Sequence, residues 1–462
     1  MSPNTRYVPL FRKRMSLLPA EQETLLNQAL KTASDTRFLR VGSGVRHDAA
    51  GVFASAFGDQ PAVIVADERT FAAAGGYVRE SFRRADSVQE APFLFGADVH
   101  AEHSFVESLQ TALAASRAIP VAVGSGTIND LTKLAAHRLD RPYMVVATAA
   151  SMDGYAAYGA SITYRGSKQT FDCPAPRVVV ADLEVIAGAP RGMNASGYAD
   201  LLAKGVAGAD WILADAVGEE PIEPAAWATV QDFLPSWIDS PSGVARGEPG
   251  CLRRLVVGLM MSGFAMQRAR SSRPASGAEH QFSHLWDMQH HTHDGIAPSH
   301  GFKVGIGTLA SLALYELLLR RDLQDLDVDA AVARWPSLER VEARIAALLG
   351  SGELGQKAVE ETRAKHPSQD ALRAQFVRLR DNWPAVRERL TRQLLPFQSA
   401  RAMLREAGCP SEPEQIGISR DCLRLSHEQA YYIRRRFTVL DAAMRIGVFE
   451  SAMWETIPTE RG

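Results

Sequence analysis

The chain has 462 residues and 46% of them are hydrophobic, so it can bury more than one core and two domains are expected. The formal net charge of −2, without a basic stripe, argues against nucleic acid as a partner. No run of about 20 uncharged apolar residues predicts a membrane span, and the N-terminus lacks the apolar segment of a signal peptide. We therefore expect a cytoplasmic protein. Its four cysteines form no CxxC pair and are expected to be free thiols.

The first part of the chain predicts strands that alternate with helices. Residues 1–35 predict a helical lead-in. Strands are predicted at 38–41, 62–66, 93–95, 119–123, 143–147 and 177–181, with helices over 103–118 and 128–138. This alternation is typical of βαβ units and a mostly parallel sheet. Residues 161–165 and 168–171 predict a hairpin outside that sheet.

The second part predicts only helices. Amphipathic runs cover 195–214, 226–237, 252–270, 279–290, 304–321 and 428–445, and a charged helical stretch covers 328–406. Segments 216–224 and 239–250, rich in Pro, Gly, Glu and Ser, are expected to be exposed loops. The sequence therefore predicts an α/β Rossmann-like domain at 1–190 and an all-α domain at 191–462.

A glycine-containing turn joins the predicted strand 119–123 to the next helix. It reads Gly124-Ser125-Gly126-Thr127-Ile128, and free N–H groups at such a helix start can bind a pyrophosphate. A plain tight turn is the alternative. Gly42-Ser43-Gly44 competes, because it also follows a strand and precedes Asp67 by a spacing closer to a dinucleotide fingerprint. Asp67 is placed to accept hydrogen bonds from an adenosine ribose, which favours NAD over NADP.

A second loop, 148–155, follows the next predicted strand. Loops at the carboxyl ends of adjacent parallel strands line one crevice, so Asp153 is expected to face a ligand there. The alternative is that Asp153 and Gly154 only form a turn.

One carboxylate and three imidazoles lie in apolar, helical sequence. Asp200 needs a partner if its helix face is buried. His280 and His284 are four residues apart and share a helix face, and His300 precedes another apolar run. One Asp with two His suits Zn²⁺ or Fe²⁺ with a position left open. Polar caps and ordinary core histidines are the alternative.

Four segments together resemble the sn-glycerol-1-phosphate dehydrogenase family, within the superfamily of iron-containing alcohol dehydrogenases, glycerol dehydrogenases and dehydroquinate synthases. The segments are 124–130, 148–155, 197–204 and 276–301. The resemblance implies a dehydroquinate synthase-like fold with a metal between the domains. It implies metal ligands Asp200, His280 and His300, and substrate contacts Asp153 and His284. It also implies cofactor contacts at Asp67, at the 124–128 loop, and at Thr148, Ala149 and Ser151. It thereby favours 124–128 over 42–44.

The implied reaction is metal-assisted hydride transfer between NAD(H), with NADP possible, and the pair sn-glycerol 1-phosphate and dihydroxyacetone phosphate. Zinc is the expected ion, with nickel or iron as alternatives, and a homo-oligomer is expected. His284 is expected to relay a proton near neutral pH. Lys204 and Lys303 are candidates for the substrate phosphate, with a surface salt bridge as the alternative for either.

This chain departs from the family pattern at several positions. Phe302 replaces a glutamate, Ala157 replaces a serine, and His290, His291 and His293 add an imidazole cluster that could compete for metal unless it is only an exposed loop. Two other functions therefore stay open. One is a dehydroquinate-synthase-like cyclase of a sugar phosphate, and the other is a non-catalytic binding protein on the same fold.

Overall fold

The computed structural model describes residues 18–449, except for the side chain of Ser167. The first 17 residues of the predicted lead-in, and the last 13 of the predicted helical domain, lie outside the described residues. All four cysteines lie within residues 18–449 and are free thiols, as expected.

A six-stranded parallel sheet forms the centre of the first part of the chain. Its order is β1-β8-β5-β4-β2-β3, and β6 and β7 pair separately as an antiparallel hairpin. The strands are β1 (Phe38–Gly42), β2 (Ala62–Asp67), β3 (Phe93–Phe95), β4 (Ile119–Gly124), β5 (Met144–Ala147), β6 (Ala160–Tyr164), β7 (Ser167–Phe171) and β8 (Val178–Asp182). Each predicted strand exists within one or two residues. Strands β4 and β5 are neighbours, so the loops that follow them can line one crevice.

Helices cover both faces of this sheet. They are α1 (Pro19–Thr32), α2 (Ala49–Phe57), α3 (Glu68–Thr70), α4 (Gly76–Arg84), α5 (His103–Ala114), α6 (Gly126–Arg138) and α7 (Leu183–Ala187). Alternate residues of a strand enter different cores: Val63 and Val65 join the main core, whereas Ile64 joins a second cluster behind the sheet. Burial on both faces explains why the strands are continuously apolar.

The second part is helical throughout the described residues. Its helices are α8 (Arg191–Leu202), α9 (Lys204–Val217), α10 (Pro224–Gln231), α11 (Leu234–Trp237), α12 (Pro241–Arg246), α13 (Pro249–Ala269), α14 (Ala278–Met288), α15 (His300–Leu319), α16 (Val328–Arg334), α17 (Leu338–Leu349), α18 (Glu353–Lys365), α19 (Gln369–Gln393), α20 (Phe397–Glu406), α21 (Arg420–Tyr432) and α22 (Val439–Arg445). The α/β and all-α parts follow each other in the predicted order. The boundary at residue 190 stays a prediction.

Two expectations about this part were wrong in detail. The predicted helix 195–214 is divided at Ala203 into α8 and α9. The segment 239–250 is not only a loop, because it contains α12, whose Gly243 and Val244 are buried. Proline has no backbone N–H, and the first position of a helix does not need one. Pro241 can therefore start α12 in this Pro-containing segment.

Helix α15 is long and apolar enough to cross a membrane by composition, but 83% of its most apolar window is buried inside the protein. Apolar residues on all sides of a helix are typical of a core position in a large protein. The charged helix α19 is different, because its buried residues recur every three or four positions: Leu372, Phe376, Leu379, Trp383, Val386 and Leu390. Its charges therefore occupy a solvated face.

Candidate active site

A cavity of about 480 Å³ lies between the carboxyl ends of β4 and β5 and the helices of the second part. Its lining comes from the two loops singled out in the sequence and from α14 and α15. It includes Ser125, Gly126, Thr127, Ser151, Asp153, His280, His284 and His300. Both loops, His284 and two of the three expected ligands therefore meet at one cavity.

Two glycines shape the loop between β4 and α6. A Cβ at Gly124 would lie 2.5 Å from Cβ of Ile128, and a Cβ at Gly126 would lie 2.8 Å from Cε of Met152. The N-terminus of α6 leaves its first N–H groups without intrahelical partners, and Ser125 at the N-cap makes no side-chain capping bond. These N–H groups and the positive end of the helix dipole suit a phosphate group at the cavity wall.

The N–H groups at the competing loop 42–44 already donate hydrogen bonds to a carboxylate of the protein. Asp182, which is fully buried, accepts hydrogen bonds from the N–H groups of Gly44 at 3.1 Å and Arg46 at 3.0 Å. Its pKa is lowered, because these hydrogen bonds and the charge of Arg46 outweigh the effect of burial. The amides that a pyrophosphate would need here are therefore occupied, and β1 is an edge strand of the sheet.

The other expected cofactor residues lie close to the loop in the fold. The register of β2 with β4, in which Val65 pairs with Ala122, puts Asp67 level with Gly124 at the same edge of the sheet. Asp67 also caps α3, because its carboxylate accepts from the Thr70 N–H at 2.8 Å. Thr148 donates its N–H to the carbonyl oxygen of Gly124, and Ala149 is buried. Neither of these two residues lines the cavity, and their role as cofactor contacts stays a prediction.

Asp200, His280 and His300 form the one group in residues 18–449 that could hold a metal ion. One ligand atom from each lies within 4.8 Å of the others. Asp200 is fully buried, and its Oδ1 is 3.5 Å from Nε2 of His280. Burial, together with the charges of His280 and Lys168, lowers the pKa of His300 well below its usual value. A neutral imidazole is the form that ligates a cation, so the donor set fits a divalent metal.

Glycines bring the helices that carry these ligands into close contact. A Cβ at Gly197 on α8 would lie 1.8 Å from the carbonyl oxygen of Ala150. A Cβ at Gly301 on α15 would lie 1.8 Å from the carbonyl oxygen of Ser196. The glycines beside Asp200 and His300 are therefore required by packing.

Glu279 orients His280, a role that the sequence reasoning missed. Its carboxylate lies 2.8 Å from Nδ1 of His280, which leaves Nε2 directed at Asp200. Such outer contacts fix the ring and tautomer of a metal-binding histidine. The signal was available, since Glu279 is adjacent to His280 in the quoted motif.

Lys204 is not on the surface and does not line the cavity. It is fully buried, and its Nζ lies 2.7 Å from carboxylate oxygens of both Asp153 and Asp200. Burial alone would lower the pKa of Lys204, but the two carboxylates outweigh it and raise the pKa. The expected salt bridge therefore exists, but its expected surface position was wrong, and the phosphate contact stays a prediction. The lysine holds two carboxylates in the core, and Asp153 also accepts from Ser262 at 2.9 Å.

His284 faces the cavity without a hydrogen-bond partner among residues 18–449. Its ring centroid is 6.4 Å from that of His280. Burial, with the charges of Arg434 and Lys168, holds the pKa of His284 well below its usual value. A neutral imidazole beside the cluster can accept a proton.

Positive side chains lie near His284. Lys168 on β7 and Lys303 on α15 both contact Asp287, which lies three residues beyond His284 on α14. Arg434 lines the same cavity. The sequence reasoning gave no role to Lys168 or Arg434, and no spacing could have joined residues so far apart in the chain.

The departures from the family pattern also have positions in the structure. Phe302 is half-buried, lines the cavity and packs against the main core. Ala157 is buried against Met266 and Ala275. His290 and His293 lie in an exposed loop and His291 is half-buried beside them. Their exposed position agrees with the loop interpretation, and the metal-binding group of residues 18–449 includes none of the three.

The parallel sheet, the helical second part and the Asp-His-His cluster define the class of the iron-containing alcohol dehydrogenases. The family described as iron-containing alcohol dehydrogenase matches residues 40–190. The crystal structure of a probable glycerol dehydrogenase from Sinorhizobium meliloti has the same fold, with a TM-score of 0.59, 17% identity, and coverage of 92% of this chain and 98% of that one.

Sequence relatives narrow the class to one family. A glycerol-1-phosphate dehydrogenase from Geobacillus thermodenitrificans, named for use of NAD(P)+, is 30% identical over 383 residues, which cover 82% of this chain and 85% of that protein. A relative of the same name from Halalkalibacterium halodurans is 34% identical over 268 residues, 56% of this chain and 66% of that protein. The chain belongs to the family of NAD(P)-dependent glycerol-1-phosphate dehydrogenases, which are oxidoreductases.

Proposed function

We propose that the chain is a metal-dependent, NAD(P)-linked dehydrogenase that interconverts sn-glycerol 1-phosphate and dihydroxyacetone phosphate by hydride transfer. One observation carries the proposal: a single cavity of about 480 Å³ is lined by residues of the 124–128 loop and by His280 and His300, which form a cluster with the buried Asp200. The names of the relatives supply the substrate pair.

Asp200, His280 and His300 would hold the divalent ion. Zinc is proposed, with nickel or iron as alternatives. The ion, when bound, supplies a positive charge that favours negative charge on the substrate oxygen during hydride transfer. The protein's part is to keep the ligands in place. Glu279 fixes His280, and Lys204 with the Asp153 N–H fixes the two oxygens of Asp200.

The nicotinamide cofactor supplies the redox chemistry, and the protein orients it. The free N–H groups that begin α6 would bind its pyrophosphate, with Ser125, Gly126 and Thr127 at the cavity wall. Ser151, at the start of the second loop, lines the same cavity. Asp67, level with Gly124, would accept hydrogen bonds from the ribose and repel a 2′-phosphate, so we propose a preference for NAD.

His284 would move the proton that accompanies hydride transfer. It accepts the proton as the alcohol is oxidised and returns it as the ketone is reduced. Asp153 lines the cavity next to this region and contacts the substrate from the opposite loop. A homo-oligomer and a cytoplasmic location stay predictions.

A screen of NADH oxidation by the metal-loaded protein, over phosphorylated ketones, tests the proposal. Dihydroxyacetone phosphate should be the best substrate, and His284→Ala should lose turnover while it keeps the metal. Phosphate release from a sugar phosphate without net NADH change would show a cyclase instead. Bound cofactor and metal without turnover on any substrate would show a binding protein.

A further inference from the structure

Three consecutive arginines occupy the loop between α21 and α22, and they differ in the partners that residues 18–449 offer them. Arg435 donates to Glu361 through its backbone N–H and its guanidinium, at 2.9 Å each. Arg436 donates to the carbonyl of Ser276 at 2.7 Å and to Oγ of Ser272 at 3.0 Å. Arg434 makes no hydrogen bond or ion pair within residues 18–449. Its neighbours therefore anchor the loop and leave Arg434 available to a ligand.

Arg434 lies where two cavities meet. It lines both the site cavity and a neighbouring cavity of about 770 Å³. Lys168, Thr170 and His284 also line both. The guanidinium thus lies at the junction, beside the imidazole proposed to carry the proton.

The charges at this junction are unbalanced toward positive. Lys168 and Lys303 share one carboxylate, that of Asp287, and Arg434 adds a third cation. Among these four side chains, three positive charges against one carboxylate leave an excess of two. Glu219, Glu220 and Glu360, which also line the larger cavity, are paired with Arg445, Arg273 and Lys357. The nearby Glu361 is bound to Arg435 and Lys357, and Glu279 to His280. A phosphate monoester carries a charge of about −1.5 to −2 at pH 7, which matches the excess.

We propose that Arg434, with Lys168, binds the phosphate group of the substrate and selects phosphorylated substrates over unphosphorylated ones. The inference rests on the proposed function. Arg434 arrives from the loop before α22 and Lys168 from the hairpin of the first part, so the two contact the phosphate from different parts of the chain. A guanidinium donates two parallel hydrogen bonds to a phosphate, which a lysine does not reproduce.

The test compares dihydroxyacetone phosphate with dihydroxyacetone as substrates of the metal-loaded holoenzyme. Arg434→Ala should raise KM for the phosphorylated ketone by about 10- to 100-fold, the loss typical of a hydrogen bond to a charged group. Its kcat/KM for dihydroxyacetone should fall much less than its kcat/KM for the phosphorylated ketone, and Arg434→Lys should be intermediate. Lys168→Ala should shift the same ratio.

Lys357→Met is the matched control. It removes a positive charge from the larger cavity only, since Lys357 does not line the site cavity. Its KM for the phosphorylated ketone should stay within about twofold of the wild-type value. A large rise in this control, or equal losses of Arg434→Ala on both substrates, would overturn the inference while the proposed function stands.

A wild-type protein inactive on dihydroxyacetone phosphate would instead remove the proposed function. Calorimetric titration of the holoenzyme with inorganic phosphate then decides the inference alone. Binding that is weakened at least tenfold by Arg434→Ala supports an anion site. Binding that is absent, or equal in both proteins, overturns it.

Discussion

Lys204→Met isolates the energetic role of the buried lysine. The substitution keeps the length of the side chain and removes the charge between Asp153 and Asp200. Removing one partner of a buried ion pair costs about 3–5 kcal/mol, because the remaining charge is left uncompensated in the core. With two carboxylates facing a fully buried ammonium group, we expect the upper part of this range for the metal-free protein.

A divalent ion should reverse part of this loss. Asp200 is an expected ligand, so a bound ion supplies the positive charge that the variant lacks. Saturation at about 100 times the dissociation constant adds about 2.7 kcal/mol of stability. The variant should gain at least as much, because the ion no longer meets the repulsion of Lys204. The difference in unfolding free energy between wild type and variant should therefore shrink when metal is added.

Denaturant unfolding in EDTA and in excess Zn²⁺ measures both quantities. Lys133→Met is the matched control, because Lys133 is equally buried but donates to the carbonyls of Gly154, Ala157 and Gly159 rather than to a ligand. The control should be destabilised by a similar amount with and without Zn²⁺. An equal loss of stability by Lys204→Met in both conditions, or complete loss of metal from this variant, would contradict the prediction.

Four further predictions concern the site. The proposed metal ligands are Asp200, His280 and His300. Replacing any one of them by alanine should abolish metal retention after dialysis, and full metal occupancy in a variant would show that its residue is not a ligand. Asp67→Ala should lower the preference for NAD over NADP, seen as a change in the ratio of the two cofactor KM values, and an unchanged ratio would show that the carboxylate does not reach the ribose. Burial holds the pKa of His284 well below its ordinary value of 6.5, so kcat/KM for oxidation of sn-glycerol 1-phosphate, which reports the free enzyme, should decline only below that pH, and a decline that begins above it contradicts the assignment. Phe302→Glu should slow metal loss to EDTA by up to about tenfold, because a carboxylate at the cavity wall adds negative charge near the ion, while Phe302→Gln should not; equal rates in both would show that Phe302 is only a packing residue.

Local sequence patterns predicted the strands and helices because residue composition and the spacing of apolar residues determine these elements. The strands are runs of β-branched residues buried on both faces, and each lies within one or two residues of its predicted place. The glycine turn at 124–126 was also predictable, since its conformation and close contacts are made by residues within the two loops. What spacing alone left open was the choice between this turn and 42–44. The deciding contact is Asp182, which is far along the chain and binds the amides of Gly44 and Arg46.

Burial was the quantity that misled the assignment of Lys204. Its spacing from Asp200 predicts a contact on one helix face, and that contact exists. The second carboxylate is that of Asp153, which lies in a loop 51 residues before Lys204 in the chain. Because this loop packs on the helix, the ion pair is buried and not on the surface. The sequence of α8 and α9 is the same in either case, so only the packing of the loop on the helix assigns the role.

Arg434 is a second residue whose role depends on tertiary contacts and not on its local sequence. Arg434, Arg435 and Arg436 are chemically identical and adjacent, and no property of their own segment separates them. Arg435 donates hydrogen bonds to Glu361 on α18, and Arg436 donates to Ser272 and Ser276 before α14. The third is left facing the cavity beside His284 and Lys168. A binding residue of this kind is defined by what its neighbours contact, which is why it emerges from the tertiary structure and not from the motif that contains it.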